Sequence, residues 1–363
     1  MFSHAHYIPI LKFRQGEYLA IGRSSAAIKK WMTPFFELPT EPWDFEEKIP
    51  SKSMDEHLAQ FGKRLARNWK ARCFVDSPYI GGSASVASGV HHLEHAFSLA
   101  RAEACLAVPV VGIERDTAYK KAVAAIVAAD QRGACIRVSP DDFASNISGK
   151  IASLLAVIGL QASDCDLIID ANDDISSSPS SQAIVWKSLI ASLPQLAQWR
   201  SLTVAGGSFP ASLSPASIYR PHKDVKRYEW LAYKSLVRGK LDRVPTFGDY
   251  SAASPKTFEM DPRLMDPNAK VKYTLDDEWR IVMGNQVKKN GRSQYQTLCK
   301  TLIGSLGSNW PGRTYSHGDE FIDDCAAGKG NGGSSTWPTV TTSHHAAAAV
   351  RGIAILFGAS PVP

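Results

Sequence analysis

The sequence has no CxxC pair, no Walker A segment, no GxSxG elbow and no GxGxxG following a strand-like run. The common ATPase, serine-hydrolase and dinucleotide signatures are therefore excluded. The six cysteines (Cys73, Cys105, Cys135, Cys165, Cys299 and Cys325) are scattered rather than framed as a disulfide scaffold, and three fall in or beside strand-like runs where a small apolar side chain packs well. They read as reduced thiols of a cytoplasmic protein. No apolar stretch is long enough to span a bilayer, and the chain runs from His4 and His6 straight into strand-like sequence, so neither a membrane anchor nor a leader is expected. A strong charge excess is also missing. A net charge of +6 over 363 residues permits an anionic substrate but does not by itself imply nucleic acid.

The chain does contain eight short apolar runs, each ending near a polar residue: 7–12, 34–37, 73–76, 108–114, 134–137, 166–170, 201–207 and 244–249. Continuous apolar runs of this kind suit strands covered on both faces, as parallel strands are. Helical stretches separate most of them, which parallel pairing requires. Eight such units over about 250 residues predict a (β/α)8 barrel. An open doubly wound sheet is the competing architecture, and pairing of the first strand with the eighth separates the two.

Helices are expected near Ile28 and Trp31 behind Ser24 or Ser25, from Ser53 through Leu65, and over 91–105, 117–131, 147–158, 181–198 and 223–237. Beyond Tyr250 the pattern changes. Residues 254–268 read as a loop, and 270–273 and 279–283 as two short strands of a hairpin. Residues 294–303 would be the last barrel helix, 328–335 a flexible loop and 343–356 a terminal helix. The expected organisation is one barrel spanning 1–363, with 251–290 inserted after strand eight as a hairpin cap over its mouth.

Strand ends matter because active sites of this fold sit there. The ends carry Lys12, Glu37, Asp76, Glu114, Arg137, Asp170 and Asp249. A carboxylate delivered to a partly desolvated mouth can act as general acid or base, or bind a divalent cation. The competing reading is that these groups pair with one another or cap the following helices. Lys12 also stands where a pyridoxal phosphate Schiff base could form, and Gly206-Gly207-Ser208 where barrels often bind phosphate through backbone amides. A lysine ringed by carboxylates more commonly makes an ion pair. His91 and His95, four residues apart, have metal-pair spacing, although Glu94 falls off that face. Tyr219, Arg220, Lys223, Lys226, Arg227 and Tyr228 interleave bases with aromatics, which reads either as a solvated helix start or as a phosphate-contacting face.

Tyr7-Ile8-Pro9-Ile10-Leu11-Lys12 with Gly16-Glu17, then Phe247-Gly248-Asp249-Tyr250, Trp279-Arg280, Gln294-Tyr295, Gly318-Asp319, Trp337 and Ser343-His344-His345 occur in an order and spacing that resembles the Beta protein family of phages, prophages and bacterial mobile islands. Ala-rich residues follow the two histidines here, where the family has larger apolar ones. The resemblance brings no assigned reaction. It implies a role in phage–host conflict or nucleic-acid processing, and it adds these positions to examine, above all Gly248-Asp249-Tyr250 and His344-His345.

Two functional expectations follow. In the first, the barrel is an enzyme acting on a phosphate-bearing substrate, a nucleotide or nucleic acid. Lys12 and Arg137 hold the anion, aided by Gly206, Gly207, Ser208, Tyr250, Trp279 and Arg280. Glu37, Asp76, Glu114, Asp170 and Asp249 supply a general base or a divalent-cation site, and His344 or His345 donates a proton. In the second, the barrel is a non-catalytic binding or sensor module with a protein partner in a defence or counter-defence complex.

Overall fold

The computed structural model describes residues 2–213, 221–256, 261 and 263–359. Thirteen strands are named in chain order among these residues: β1 (Tyr7–Lys12), β2 (Phe35–Glu37), β3 (Trp43–Asp44), β4 (Ile49–Pro50), β5 (Cys73–Asp76), β6 (Ala107–Gly112), β7 (Ala134–Val138), β8 (Cys165–Asp170), β9 (Ser201–Gly206), β10 (Lys223–Lys226), β11 (Thr246–Asp249), β12 (Asn268–Thr274) and β13 (Glu278–Gln286). Eight of them close into an all-parallel barrel in the order β1-β11-β9-β8-β7-β6-β5-β2. The closure is direct, because β1 pairs with β11 through Tyr7 and Phe247 and with β2 through Lys12 and Glu37. The chain is a (β/α)8 barrel, and the open doubly wound sheet is excluded.

The apolar runs work as strands because both of their faces are buried. Alternate residues fill two separate cores. Ile8, Ile10, Phe35, Phe74, Val108, Val110, Cys135, Ile168 and Ala205 pack together inside the barrel. Their neighbours Tyr7, Leu11, Phe36, Val75, Val111, Ile136, Leu167, Ile169, Val204 and Phe247 pack outward against the helices. All six cysteines are free and buried. No helix among the described residues is long and apolar enough to cross a membrane.

Several local expectations change. The first helix is Gln15–Arg23, with a separate turn of helix at Ala26–Lys29 capped by Ser25. Gly16 and Gly22 weaken the helical signal, and Gly16 is there because a Cβ would come within 2.5 Å of Pro338 on the terminal helix. That terminal helix runs over Thr336–Leu356, a full two turns earlier than expected, and it packs on Gln15–Arg23 to complete the barrel's outer ring. Residues 223–226 are not helical. They form β10, which pairs with β13, so the hairpin is the larger part of a three-stranded antiparallel sheet ordered β10-β13-β12. The helix Gln294–Leu306 does not cover the barrel. It packs on β12 and β13 with the helix His317–Ala326, in a core of its own around Val271, Tyr273, Leu298, Leu302, Ile322 and Val340. Phe209, Ala252, Trp279 and Ile281 join this cap to the ends of β9 and β11.

The helix His317–Ala326 lies against the terminal helix at Gly318, where a Cβ would sit 2.2 Å from the Val340 carbonyl oxygen. Gly318→Ala is therefore expected to destabilise the protein by about 1–3 kcal/mol, lowering the thermal midpoint by several degrees. Gly304 lies in the helix Gln294–Leu306 with nothing within 4 Å of a built Cβ. Gly304→Ala should raise the midpoint, since alanine is the better helix former by about 0.5–1 kcal/mol. Calorimetry of the two variants checks both signs.

Candidate active site

The parallel register brings the ends of β2, β5, β7 and β8 to one level, and each delivers an inward-facing polar side chain. Arg137 on β7 stands at the centre. Its Nη1 donates to Glu37 Oε1 and to Asp76 Oδ2, both at 2.8 Å. Its Nε and Nη2 donate to Asp170 Oδ2 at 2.9 and 2.6 Å, and Nη2 also donates to the Tyr250 hydroxyl at 2.6 Å. These bonds use all five donors of the guanidinium. Tyr250 in turn donates to Asp170 Oδ2 at 2.7 Å, and Tyr79 donates to Glu37 Oε2 at 2.8 Å. Asp76 is fully buried and also accepts from Arg115 Nη2 at 2.7 Å and from the Tyr119 hydroxyl at 3.1 Å.

Above this cluster lies a cavity of about 360 Å3, lined among others by Glu37, Glu114, Arg137 and Asp170, with Tyr79 and Arg115. Glu114 is not at a strand end: β6 stops at Gly112, and Glu114 reaches the cavity from the following turn. Asp76 supports the floor through Arg137. Lys12 stands beside it, its Nζ 5.9 Å from the Tyr79 ring. Burial pushes the Glu37 carboxyl up, and the neighbouring Asp76 adds to this against the pull of Arg137. Burial lowers the Lys12 ammonium, while Glu17 and Glu37 oppose the shift. Burial also pushes the nearby Glu17 up to about 7, and its Oε2 is buried without a hydrogen-bond partner.

Other expected members of the site lie elsewhere. Asp249 alternates with the inward-facing Gly248 and Tyr250, so its side chain leaves the barrel on the outer face and meets the terminal helix. There it accepts from the Tyr7 hydroxyl at 2.6 Å, the Ser251 amide at 2.9 Å and His345 Nε2 at 2.9 Å. His345 Nδ1 accepts from the Thr274 hydroxyl at 2.8 Å. Burial opposes ionisation of Asp249, but His345, Arg227 and Tyr7 outweigh it and hold the carboxyl at about 2. Burial holds His345 itself below its ordinary range, and Arg227, 3.6 Å from Asp249, already supplies the counter-charge. His344 faces the Asp319 carboxylate and the Thr274 carbonyl, each at 2.9 Å, so both bonds form together only when both ring nitrogens carry hydrogen. Neither histidine lines the mouth cavity. Trp279 is buried in the cap against Phe209, and Arg280 is held by Asp224 and Ser305. Asp249, His344 and His345 thus meet at the barrel–cap junction, with Trp279 and Arg280 in the cap, while Tyr250 reaches the mouth.

Three ligand expectations meet specific obstacles. Arg137 has no donor left for a phosphate. The Gly207 amide donates to the Asn172 carbonyl at 2.7 Å and the Ser208 amide to Glu229 Oε2 at 3.2 Å, so these two amides do not stand open as the phosphate cradle that pyridoxal phosphate on Lys12 would use. Among the described residues no group of three or more His, Cys, Asp or Glu is arranged to hold a metal ion, the expected divalent-cation site included. His91 caps its own helix at Leu93 and bonds the Gly82 carbonyl. Tyr219 and Arg220 lie outside the described residues. Tyr79 and Arg115 were not foreseen. Each sits three residues past a strand end, Asp76 for Tyr79 and Gly112 for Arg115, in the turn that follows it.

A family model described as Beta protein matches residues 7–351. No curated protein matches the chain.

Replacing Arg137 by methionine leaves Glu37, Asp76 and Asp170 without their shared cation. Removing one partner of a buried ion cluster costs on the order of 3–5 kcal/mol, so a large fall in denaturant midpoint is expected, and Arg137→Lys should recover only part of it. At the junction, burial pushes Glu229 up to about 7 from 4.5. The folded state then holds a proton that the unfolded state releases, so stability is lost as pH rises through this window, on the order of 3 kcal/mol by pH 8. Glu229→Gln should be nearly neutral at pH 4.5 and increasingly stabilising toward pH 8. Unfolding curves across that range check the sign.

Proposed function

The chain belongs to the Beta protein family, and from that footing we propose that its barrel is an enzyme performing general acid–base chemistry at the mouth on a phosphate-bearing substrate, a nucleotide or nucleic acid, in phage–host conflict. The observation that carries the reading is Glu37. It is 1% exposed, its ionisation is disfavoured by burial, and it lines an accessible cavity at the catalytic end of the barrel. A carboxyl poised in this way holds its proton more tightly than a free glutamate and can exchange it with a bound substrate. Tyr79 and Arg137 fix its orientation, which is the preorganisation that general acid–base catalysis needs.

Arg137 is not the anion receptor in this account, since its donors are spent on carboxylates. The substrate's negative charge falls to Arg115, which lines the cavity and gives one strong bond to Asp76, and to Lys12 beside it. Glu114 reaches the same cavity from its rim and is the second candidate for proton transfer.

A second reading keeps a specific observation in its favour. Asp249, His344 and His345, three of the positions that carry the family resemblance, meet at the barrel–cap junction, and there they are tied into buried hydrogen bonds rather than presented at the mouth. That pattern fits a binding or sensor module whose signal is the geometry of the cap, with a protein partner.

Glu37→Gln keeps the shape and the bond accepted from Arg137, and its amide NH2 can donate to the Tyr79 hydroxyl in place of the bond the carboxylate accepted there, so the thermal midpoint should move by no more than a few degrees. Turnover of phosphomonoester, phosphodiester or nucleotide substrates should fall by about 100-fold or more. Undiminished turnover in the variant would overturn the assignment of Glu37. Absence of turnover in the unaltered protein, together with a stoichiometric protein partner on purification, would favour the second reading.

A further inference from the structure

At the N-terminal end of the barrel, beside the starts of β6, β7 and β8, lies a cavity of about 610 Å3 that shares no lining residue with the mouth cavity. Leu106, Val108, Val127 and Leu160 give it apolar walls, and Arg72, Arg132 and Arg200 give it charged ones. The size suits a small-molecule site, in which apolar walls carry a few fixed polar groups. This end of the fold generally serves stability, and two of the three arginines do so.

Asp166, buried at the start of β8, accepts from Arg72 Nη2 and from Arg200 Nε and Nη2, the latter two at 3.2 and 2.7 Å. Arg132 is different, because among the described residues no carboxylate pairs with it. Its Nη1 is fixed by the Cys105 and Ala107 carbonyls at 3.0 and 3.5 Å, while its Nε and Nη2 donate to no protein group. Those two nitrogens stay open to solvent, unlike the buried, unbonded Nε of Arg72. Together they form the side-on edge with which a guanidinium grips an oxyanion through two parallel bonds. The Arg72 side chain is 32% exposed, and its Nη1 also donates to no protein group. Arg200 Nη1 donates to the Arg132 carbonyl at 3.0 Å, which holds the two residues against each other. Gly133 permits this approach, since a Cβ there would stand 3.0 Å from Arg200 Nη1 and 1.9 Å from the Asp164 carbonyl oxygen. Asp164 is the one acid among the lining residues, and its Oδ2 accepts from the Gln161 amide at 3.2 Å. Three cations against Asp164 and Asp166 leave one positive charge unanswered, and it falls at the free edge of Arg132.

We propose that this cavity binds a small phosphate monoester, two phosphate oxygens on the free edge of Arg132, a third toward Arg72, and the organic part along the apolar walls. The third oxygen is what separates a phosphate from a carboxylate, which would leave Arg72 unanswered. The site binds and performs no chemistry, and it does not depend on the reading given for the mouth.

Isothermal titration with phenylphosphonate, whose P–C bond no hydrolysis at the mouth can cut, tests it against inorganic phosphate and benzoate. Phenylphosphonate should bind more tightly than inorganic phosphate, which lacks the apolar contacts, and more tightly than benzoate, which lacks the third oxygen. Gln131 is exposed and lines the cavity, so Gln131→Glu brings a carboxylate to the wall without removing an arginine. One such charge should weaken binding by about tenfold. Leu106→Glu, at a lining residue that is 47% exposed, does the same should the first variant fail to fold. An anion held at the mouth would be indifferent to both variants. No binding of phenylphosphonate, benzoate binding as tightly, or an affinity that both variants leave unchanged would each overturn the proposal.

Discussion

A single guanidinium holds the working end of this barrel in shape. Arg137 reaches across from β7 to carboxylates on β2, β5 and β8 and to the phenol that follows β11, so five of the eight strands are joined through one side chain. Parallel strands are otherwise linked only to their immediate neighbours, and a mouth lined by three carboxylates would open under their mutual repulsion. Two cations, Arg137 and Arg115, meet three acids, Glu37, Asp76 and Asp170. The shortfall of positive charge, together with burial, pushes Glu37 toward holding its proton. Stability and chemistry therefore rest on the same bonds: the cluster cannot be loosened to improve one without altering the other.

A second polar cluster lies on the outer face of β1 and β11, sealed by the terminal helix and the cap. Tyr7, Asp249, His345 and Thr274 form one chain of bonds, and Tyr273, Asp319 and His344 form another beside it. Adjacent histidines on a helix point about 100° apart, which lets His345 serve the barrel while His344 serves the cap. This division ties the cap to Asp249 of β11, and the next residue, Tyr250, bonds both Arg137 and Asp170 at the mouth. Asp249 and Tyr250 are consecutive residues facing opposite sides of one strand, which is the shortest connection between the two clusters.

The barrel was legible because parallel strands bury both faces and leave unbroken apolar runs. The same physics made the strand ends readable to within a residue or two. The side of the barrel on which a strand-end residue falls was not readable, because one position decides it. Asp249 ends its run as Asp76 and Asp170 end theirs, yet it faces outward. The cap's third strand was hidden for a different reason: Lys223-Asp224-Val225-Lys226 is charged and short, and it becomes a strand only because β13 offers an edge to pair with. Tyr79 and Arg115 belong to loops, whose side chains are placed by tertiary contacts rather than by any local period. The short helix Gln15–Arg23 was masked by glycines that its packing requires.

The account stands on Glu37 being a buried carboxyl that resists ionisation while facing an accessible cavity. Carbon-13 NMR of protein labelled at the glutamate carboxyl, with Glu37→Gln to assign the resonance, reads that property directly. The account predicts a titration displaced upward from the ordinary glutamate value of 4.5. A Glu37 that titrates at or below 4.5 would be an ordinary ion-pair partner of Arg137, and the mouth would then be a structural clasp without the proton-transfer group assigned to it.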